Sequence, residues 1–442
     1  MNVLIVAEHA SLKYGGEAAL PLHYFRVLRK RGIETWLIVH ERTREELESL
    51  FECDRDRLYF IPDTIWHRWL WQCGQFLPQR IADFTFGLVL RLITQISQRC
   101  LAKKLVRDKN IDVIHQPILV SPKEPSSILK MGAPVVIGPM NGGMKYPPGF
   151  GRENGLINLG VKTGRLFADL FNTLIPGKRK ATTILVANQR TKKSLPKGIT
   201  GKIVEVVENG VDLSVWQPKS NRLKEPLDLA ISTETENVRP VKFVFVGRLV
   251  DWKAIDLLLK AFKYLSAHIP VELEIIGDGE RRLNLETLAK ELNITSVIFT
   301  GFLSQSECAQ RLQSADVMVL PSLYECGGAV VLEAMTMRIP VIATNWGGPA
   351  DYLDESCGIL VEPKTPDLFV LNLANAMLQL AESPELRQSM GKAGYQRILD
   401  RFDWEVKVDT MLDIYQDAIA RYACKSGESW EWNGREEVTS NK

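Results

Sequence analysis

Short apolar runs, each followed by a helix-length stretch, recur along this chain in two separate series. The first begins at Val3-Leu4-Ile5-Val6-Ala7 and continues through 33–39, 111–115, 134–137, 184–187 and 204–207. The second restarts at Val241-Lys242-Phe243-Val244-Phe245-Val246 and continues through 273–276, 297–299, 316–320, 340–344 and 358–361. Most of these runs are apolar without strict alternation, as strands covered on both faces must be. Strands alternating with helices build a parallel sheet with helices packed on each side. Two such series predict two doubly wound α/β lobes with a cleft between them. A chain of 442 residues is also too long for one ordinary core.

The break between the series is legible. Lys219 to Pro240 is polar and charged, without periodicity, and reads as a linker. The predicted organisation is a first domain over 1–218, a linker at 219–240 and a second domain over 241–403. A helix at 404–424 and a polar tail at 425–442 complete it. Composition narrows the function classes. A formal net charge of +2 excludes a dominant polyanionic partner such as bulk nucleic acid. The seven cysteines form no C-x-x-C pair and no Cys/His cluster, so neither a zinc site nor a disulfide framework is expected, and a reducing cytosol fits. Asn2 to Ala7 is already strand-like, so no signal peptide is expected. No apolar run reaches the roughly 20 residues of a membrane span.

The most informative stretch is Asp316 to Pro349, read as strand, loop, helix, strand and glycine turn. Gly327 and Gly328 precede a helix opening at Ala329, so backbone can approach a ligand closely there. The free amides of the first turn, Ala329 and Val330 included, then face that ligand and favour an anion. Glu325 lies just outside the helix; Glu333 lies inside it and needs a hydrogen-bonding partner if buried. A nucleotide sugar offers one group to each feature: diphosphate to the amides, sugar hydroxyls to Glu325, ribose hydroxyls to Glu333. A plain surface loop with an acid at a helix start is the alternative. Gly247-Arg248-Leu249-Val250-Asp251-Trp252-Lys253 follows the strand 241–246 directly. Arg248, a planar fork, and Lys253, a point charge, would reach the strand's carboxyl edge and neutralise a diphosphate.

In the first half, Gly15-Gly16-Glu17 forms a glycine loop after the first strand, where open sheets place ligands. It is not G-x-G-x-x-G, which disfavours a nicotinamide site. The segment 65–107 mixes Trp66, Trp69, Trp71, Phe76, Phe84 and Phe86 with Arg68, Arg80, Arg91 and Arg99, and Pro78 divides it into two helices. Such a mixture suits a membrane interface. Its apolar positions do not resolve into one clean face, which favours a helical insertion packed on the first domain, with peripheral membrane contact as the alternative. His115, alone at a strand end, reads as structural. Lys145 to Gly151 reads as a flexible acceptor-side loop.

The E-x7-E spacing of Glu325 and Glu333, the glycine loop, Leu-Glu-Ala-Met and the Gly-Gly-Pro turn resemble the donor site of family 4 retaining glycosyltransferases of the GT-B fold. G-R-L-x-x-x-K at Gly247 to Lys253 and N-G-V-D at Asn209 to Asp212 are similar to that family's motifs too. The resemblance covers nearly the whole chain. It implies that Gly16 aims its amide at the donor's phosphate and sugar, and that the turn at Gly277-Asp278-Gly279 lies near the nucleotide base. The family's usual pocket histidine falls here on Met140 or Asn141; Asn141 can hydrogen-bond a sugar hydroxyl but cannot act as a base. A usual glycine after Lys253 is replaced by Ala254. The final helix is implied to cross back onto the first domain. The implied activity is transfer of a sugar from a nucleotide-diphospho-sugar to a saccharide, lipid-linked or small-molecule acceptor, without a metal. An epimerase or hydrolase of the same fold, or a non-catalytic nucleotide-sugar-binding protein, remain as rivals.

Overall fold

The structure is a computed structural model; it describes residues 1–13, 16–76, 86–117, 121–151, 169–218 and 239–426. Seven parallel strands form the first sheet: β1 (Asn2–Val6), β2 (Glu34–His40), β3 (Leu58–Ile61), β4 (Val113–Gln116), β5 (Val135–Met140), β6 (Thr183–Val186) and β7 (Lys202–Glu205), in the order β3-β2-β1-β4-β5-β6-β7. Six form the second: β8 (Val241–Val246), β9 (Val271–Ile276), β10 (Val297–Gly301), β11 (Val317–Leu320), β12 (Val341–Thr344) and β13 (Gly358–Val361), in the order β10-β9-β8-β11-β12-β13. In both sheets the order reverses beside the first strand. That reversal opens a crevice at the strands' carboxyl ends, the usual ligand position in such folds.

The apolar runs become strands because their side chains are needed on both faces. Val3, Leu4, Ile5 and Val6 are all buried, with Val3 and Ile5 in one cluster and Leu4 and Val6 in the other. Leu58–Ile61 was not anticipated: this edge strand is only four residues long, with Tyr59 and Phe60 partly covered. The helix Gly16–Lys30 ends before Gly32, which takes a left-handed turn at φ 71°. Two helices, Ile65–Gly74 and Leu88–Asp108, occupy the aromatic and basic segment. Pro78, Arg80 and Phe84 lie outside the described residues, as do linker positions 219–238 and the tail from 427.

The helix Trp404–Ser426 lies in the core of the first domain, although it follows the second in sequence. Trp404 stacks on His23 at 4.7 Å and meets Tyr24 edge-on at 5.1 Å. Met411, Ile414 and Tyr415 join the cluster containing Val3 and Ile5. The Tyr415 hydroxyl lies 2.7 Å from Nδ1 of fully buried His115, whose Nε2 lies 2.7 Å from the Gly138 carbonyl oxygen. Nε2 must therefore carry the proton, and Nδ1 accepts from the tyrosine. Burial pushes the His115 pKa down to about 4. This histidine ties the helix Trp404–Ser426 to the strands of the first sheet.

Candidate active site

The two charged loops of the second domain meet at the carboxyl ends of β8 and β11. Loop 247–253 leaves β8 and closes in a short turn, Asp251–Lys253. Loop 321–328 leaves β11 and enters the helix Ala329–Thr336. The Leu323 amide donates to the Trp252 carbonyl at 2.8 Å, joining the loops directly. Lys253 and Glu325 are each mostly buried and form an ion pair. The ammonium sits over the start of its own loop: a Cβ on Gly247 would lie 3.7 Å from it. The Glu325 chain folds back on the helix start, where a Cβ on Gly328 would lie 3.2 Å from Glu325 Cγ. Gly328 has φ 92°, so an L side chain there would be strained as well as crowded. Ala254 follows Lys253 in a left-handed conformation (φ 51°), which explains why glycine suits that position.

Ala329 and Val330 form the first turn of a helix with no side-chain cap, and among the described residues their amides donate to no protein acceptor. Lys253, Glu325, Gly327, Gly328 and this helix start are thus brought together. Arg248 is exposed and forms no ion pair among the described residues, so no contact fixes its guanidinium on the helix start. Glu333 is partly buried and has no hydrogen-bond partner among the described residues; desolvation pushes its carboxyl up to about 7. A carboxylate kept without a donor inside a helix is costly unless something else supplies one.

Gly277 and Asp278 have structural duties. Gly277 adopts φ 136°, and a Cβ there would lie 1.9 Å from the Gly247 carbonyl oxygen. The glycine turn therefore crosses the backbone of the cationic loop. The Asp278 carboxylate accepts from the Gly279 amide at 2.7 Å and from Arg282 at 3.3 Å. Gly16, at the start of its helix, faces open space, with no atom within 4 Å of a Cβ placed there.

Asn141 is buried, and its amide nitrogen is taken up by protein. It donates to Glu208 Oε1 at 2.8 Å and to the Cys326 carbonyl at 2.7 Å. It therefore fastens the glycine loop of the second domain to the first. Met140 is fully buried at the end of β5. The same seam contains Asn209, whose amide donates to the Tyr352 hydroxyl at 2.7 Å, and Asn188, which donates to Asp351 at 2.8 Å. A Cβ on Gly327 would lie 2.5 Å from Asn209 Nδ2 and 2.8 Å from Glu208 Oε1, so glycine is needed for the domains to meet. Burial raises the Glu208 carboxyl, opposed mainly by the bond from Asn141. Asn141 was a candidate from sequence, but Glu208, Tyr352 and Asp351 were missed, since only their fold-dependent proximity identifies them.

Loop 145–151, expected to be flexible, packs across to the second domain. Trp346 Nε1 donates to the Lys145 carbonyl at 2.8 Å, and Phe150 meets Phe369 edge-on at 5.9 Å. At the opposite edge of the first sheet His40, Asp63 and His67 converge, with potential ligand atoms within 4.8 Å of one another. His67 is already committed: the Thr64 amide donates to Nδ1 at 3.1 Å, and Nε2 lies 3.0 Å from Thr94 Oγ1. With Nδ1 accepting, Nε2 carries the proton and offers no lone pair to a metal.

Residues 229–397, which contain both charged loops, match the family model described as Glycosyl transferases group 1. The second domain is similar to that family over this whole span. The chain is 29% identical to the MMP alpha-(1->4)-mannosyltransferase of Mycolicibacterium hassiacum over 50% of each protein. The chain spans about half the length of the curated relatives it matches. Among solved structures, a glycosyltransferase from Rickettsia africae superposes with TM-score 0.61 at 16% identity, covering 95% of this chain and 98% of that one. Anabaena HepE in complex with UDP gives TM-score 0.61 at 15% identity, covering 95% and 100%. The fold of this protein is accordingly GT-B, two Rossmann-like domains facing each other.

Proposed function

We propose that this chain is a retaining glycosyltransferase that moves a sugar from a nucleotide-diphospho-sugar to a saccharide, lipid-linked or small-molecule hydroxyl. The observation that carries this is the Lys253–Glu325 pair set beside the uncapped start of the helix Ala329–Thr336. In a nucleotide sugar the anomeric carbon is bonded directly to the diphosphate, so a cation and a carboxylate in contact match adjacent parts of one ligand. Lys253 and the amides of Ala329 and Val330 take the diphosphate, with exposed Arg248 closing on it from solvent. Glu325 receives sugar hydroxyls and Glu333 those of the ribose. The crystallised relative HepE, with UDP bound, is consistent with a uridine donor.

In the transfer, the bond from the anomeric carbon to the phosphate oxygen breaks and a bond to the acceptor oxygen forms on the same face. The acceptor's proton passes to the departing phosphate. Charge grows on the diphosphate as this happens, and preorganised donors lower the barrier there. Positive charge from the protein would make a metal unnecessary. All seven cysteines are free thiols, which suits a reducing cytosol.

The test is turnover of labelled donor by Lys253→Ala and Arg248→Ala, with folding checked by circular dichroism. Each substitution is expected to lower transfer about 100- to 1000-fold. Near-normal turnover in the lysine variant would overturn the diphosphate assignment. Product analysis with and without acceptor separates transfer from hydrolysis or epimerisation.

A further inference from the structure

The helix Ile65–Gly74 buries His67, Leu70 and Gly74 and turns its tryptophans outward. Trp66, Trp69 and Trp71 are 64%, 54% and 59% exposed, Ile65 is 78% exposed, and Phe76, just beyond the helix, is 89% exposed. At 3.6 residues per turn, Ile65, Trp69, Arg68 and Gln72 project opposite the buried side, with Trp66 on one flank and Trp71 on the other. The segment is a packed insertion through its second helix, Leu88–Asp108, whose Ala102, Leu105 and Val106 join the first domain's core, whereas its first helix keeps its tryptophans outward. The short buried side is built from a histidine, a leucine and a glycine, while the largest apolar groups face solvent. Trp66 and Trp69 meet edge-on at 6.2 Å, and so many large apolar groups exposed on one short helix mark an interaction site.

We infer that this helix docks on an anionic lipid bilayer. Three tryptophans beside an arginine match the headgroup region, where an indole ring is half in hydrocarbon and half in water. Arg68 is the only charged side chain on the helix, and it is exposed. Beyond the helix, the described part of the segment adds Arg91, Arg99, Lys103, Lys104 and Arg107 and no acidic residue; Arg91 is paired with Glu124, and the overall sign is complementary to acidic headgroups. The exposed groups spread over more than half of the helix circumference, which suits a fluid surface better than a shaped protein pocket. Among the described residues no helix is long and apolar enough to cross a membrane, so the contact is peripheral. The helix follows β3 at the carboxyl edge of the first sheet, the edge on which Gly16 also lies. Docking brings that edge to the surface, where a lipid-linked acceptor would be presented; this last clause rests on the proposed transfer.

The experiment is flotation of the full chain with phosphatidylcholine vesicles, with and without phosphatidylglycerol, at low and physiological salt. Binding to the anionic vesicles is expected, about tenfold weaker for each of Trp66→Ala and Trp69→Ala, and weakened also by Arg68→Glu. Thermal shift with nucleoside diphosphates should be unchanged in these variants, so failure of docking and failure of the transferase reading remain separate results. Two outcomes overturn the inference: no binding at low salt, or binding unaffected by the double tryptophan variant. A third is self-association without vesicles that the double variant abolishes, which makes the face a contact between copies.

Discussion

Glu333→Gln separates the stability cost of the site from its ligand function. The Glu333 carboxyl is pushed from its ordinary 4.5 to about 7 by burial, with no compensating donor among the described residues. Between those values the unfolded chain has lost this proton while the folded chain keeps it. Stability contributed by the group therefore falls as pH rises from 4.5, and the loss is complete above about 7. A shift of this size corresponds to about 3 kcal/mol, reduced to about 2 kcal/mol for the solvent contact the side chain retains. Gln keeps the shape and never ionises. The variant should match the wild type near pH 5 and exceed its stability by about 2 kcal/mol at pH 8. Urea denaturation of both proteins at the two pH values measures this, and other titrating groups cancel in the comparison. If ribose hydroxyls donate to the ionised group, the variant should also bind nucleoside diphosphate about tenfold more weakly at pH 8. The reasoning is refuted if Glu333→Gln is less stable at pH 8, or if the gap is equal at both pH values.

His115 gives a second pH signature. Its folded pKa lies near 4 against an ordinary 6.5, so stability is lost as pH falls from 6.5 to 4 and levels off below. His115→Gln should flatten that part of the stability profile, measured by thermal melting across pH, whatever it costs near neutrality. Gly277→Ala adds a Cβ in the path of the Gly247 carbonyl at a positive φ. It should destabilise by about 3 kcal/mol in urea melts; an unchanged midpoint would mean that the two loops do not cross as described.

The fold was legible because most of its strands are apolar on both faces and are followed by helices. Val241–Val246 and Gly358–Val361 fall where the pattern places them, whereas Leu58–Ile61 is a four-residue apolar run, too short to be told from part of a helix or loop. Lys253, Glu325 and the helix start could be named from spacing, since each stands at the carboxyl end of a strand. Their direct pairing could not, because it depends on how two loops cross. Asn141 and Glu208 are further from legibility: the 67 residues between them carry no sign that one amide will meet the other's carboxylate. Nor does periodicity reveal which side of Ile65–Gly74 is outward when tryptophans surround most of it.

The helix Trp404–Ser426 has a consequence for how this molecule comes into being. Residues made after the second lobe fill a hole in the first, so the amino-terminal lobe stays unfinished on the ribosome until the second has been synthesised. A copy cut at residue 403 would leave the apolar faces of Tyr24 and Leu28 bare. The two halves are therefore a single unit of biogenesis, however separate their sheets.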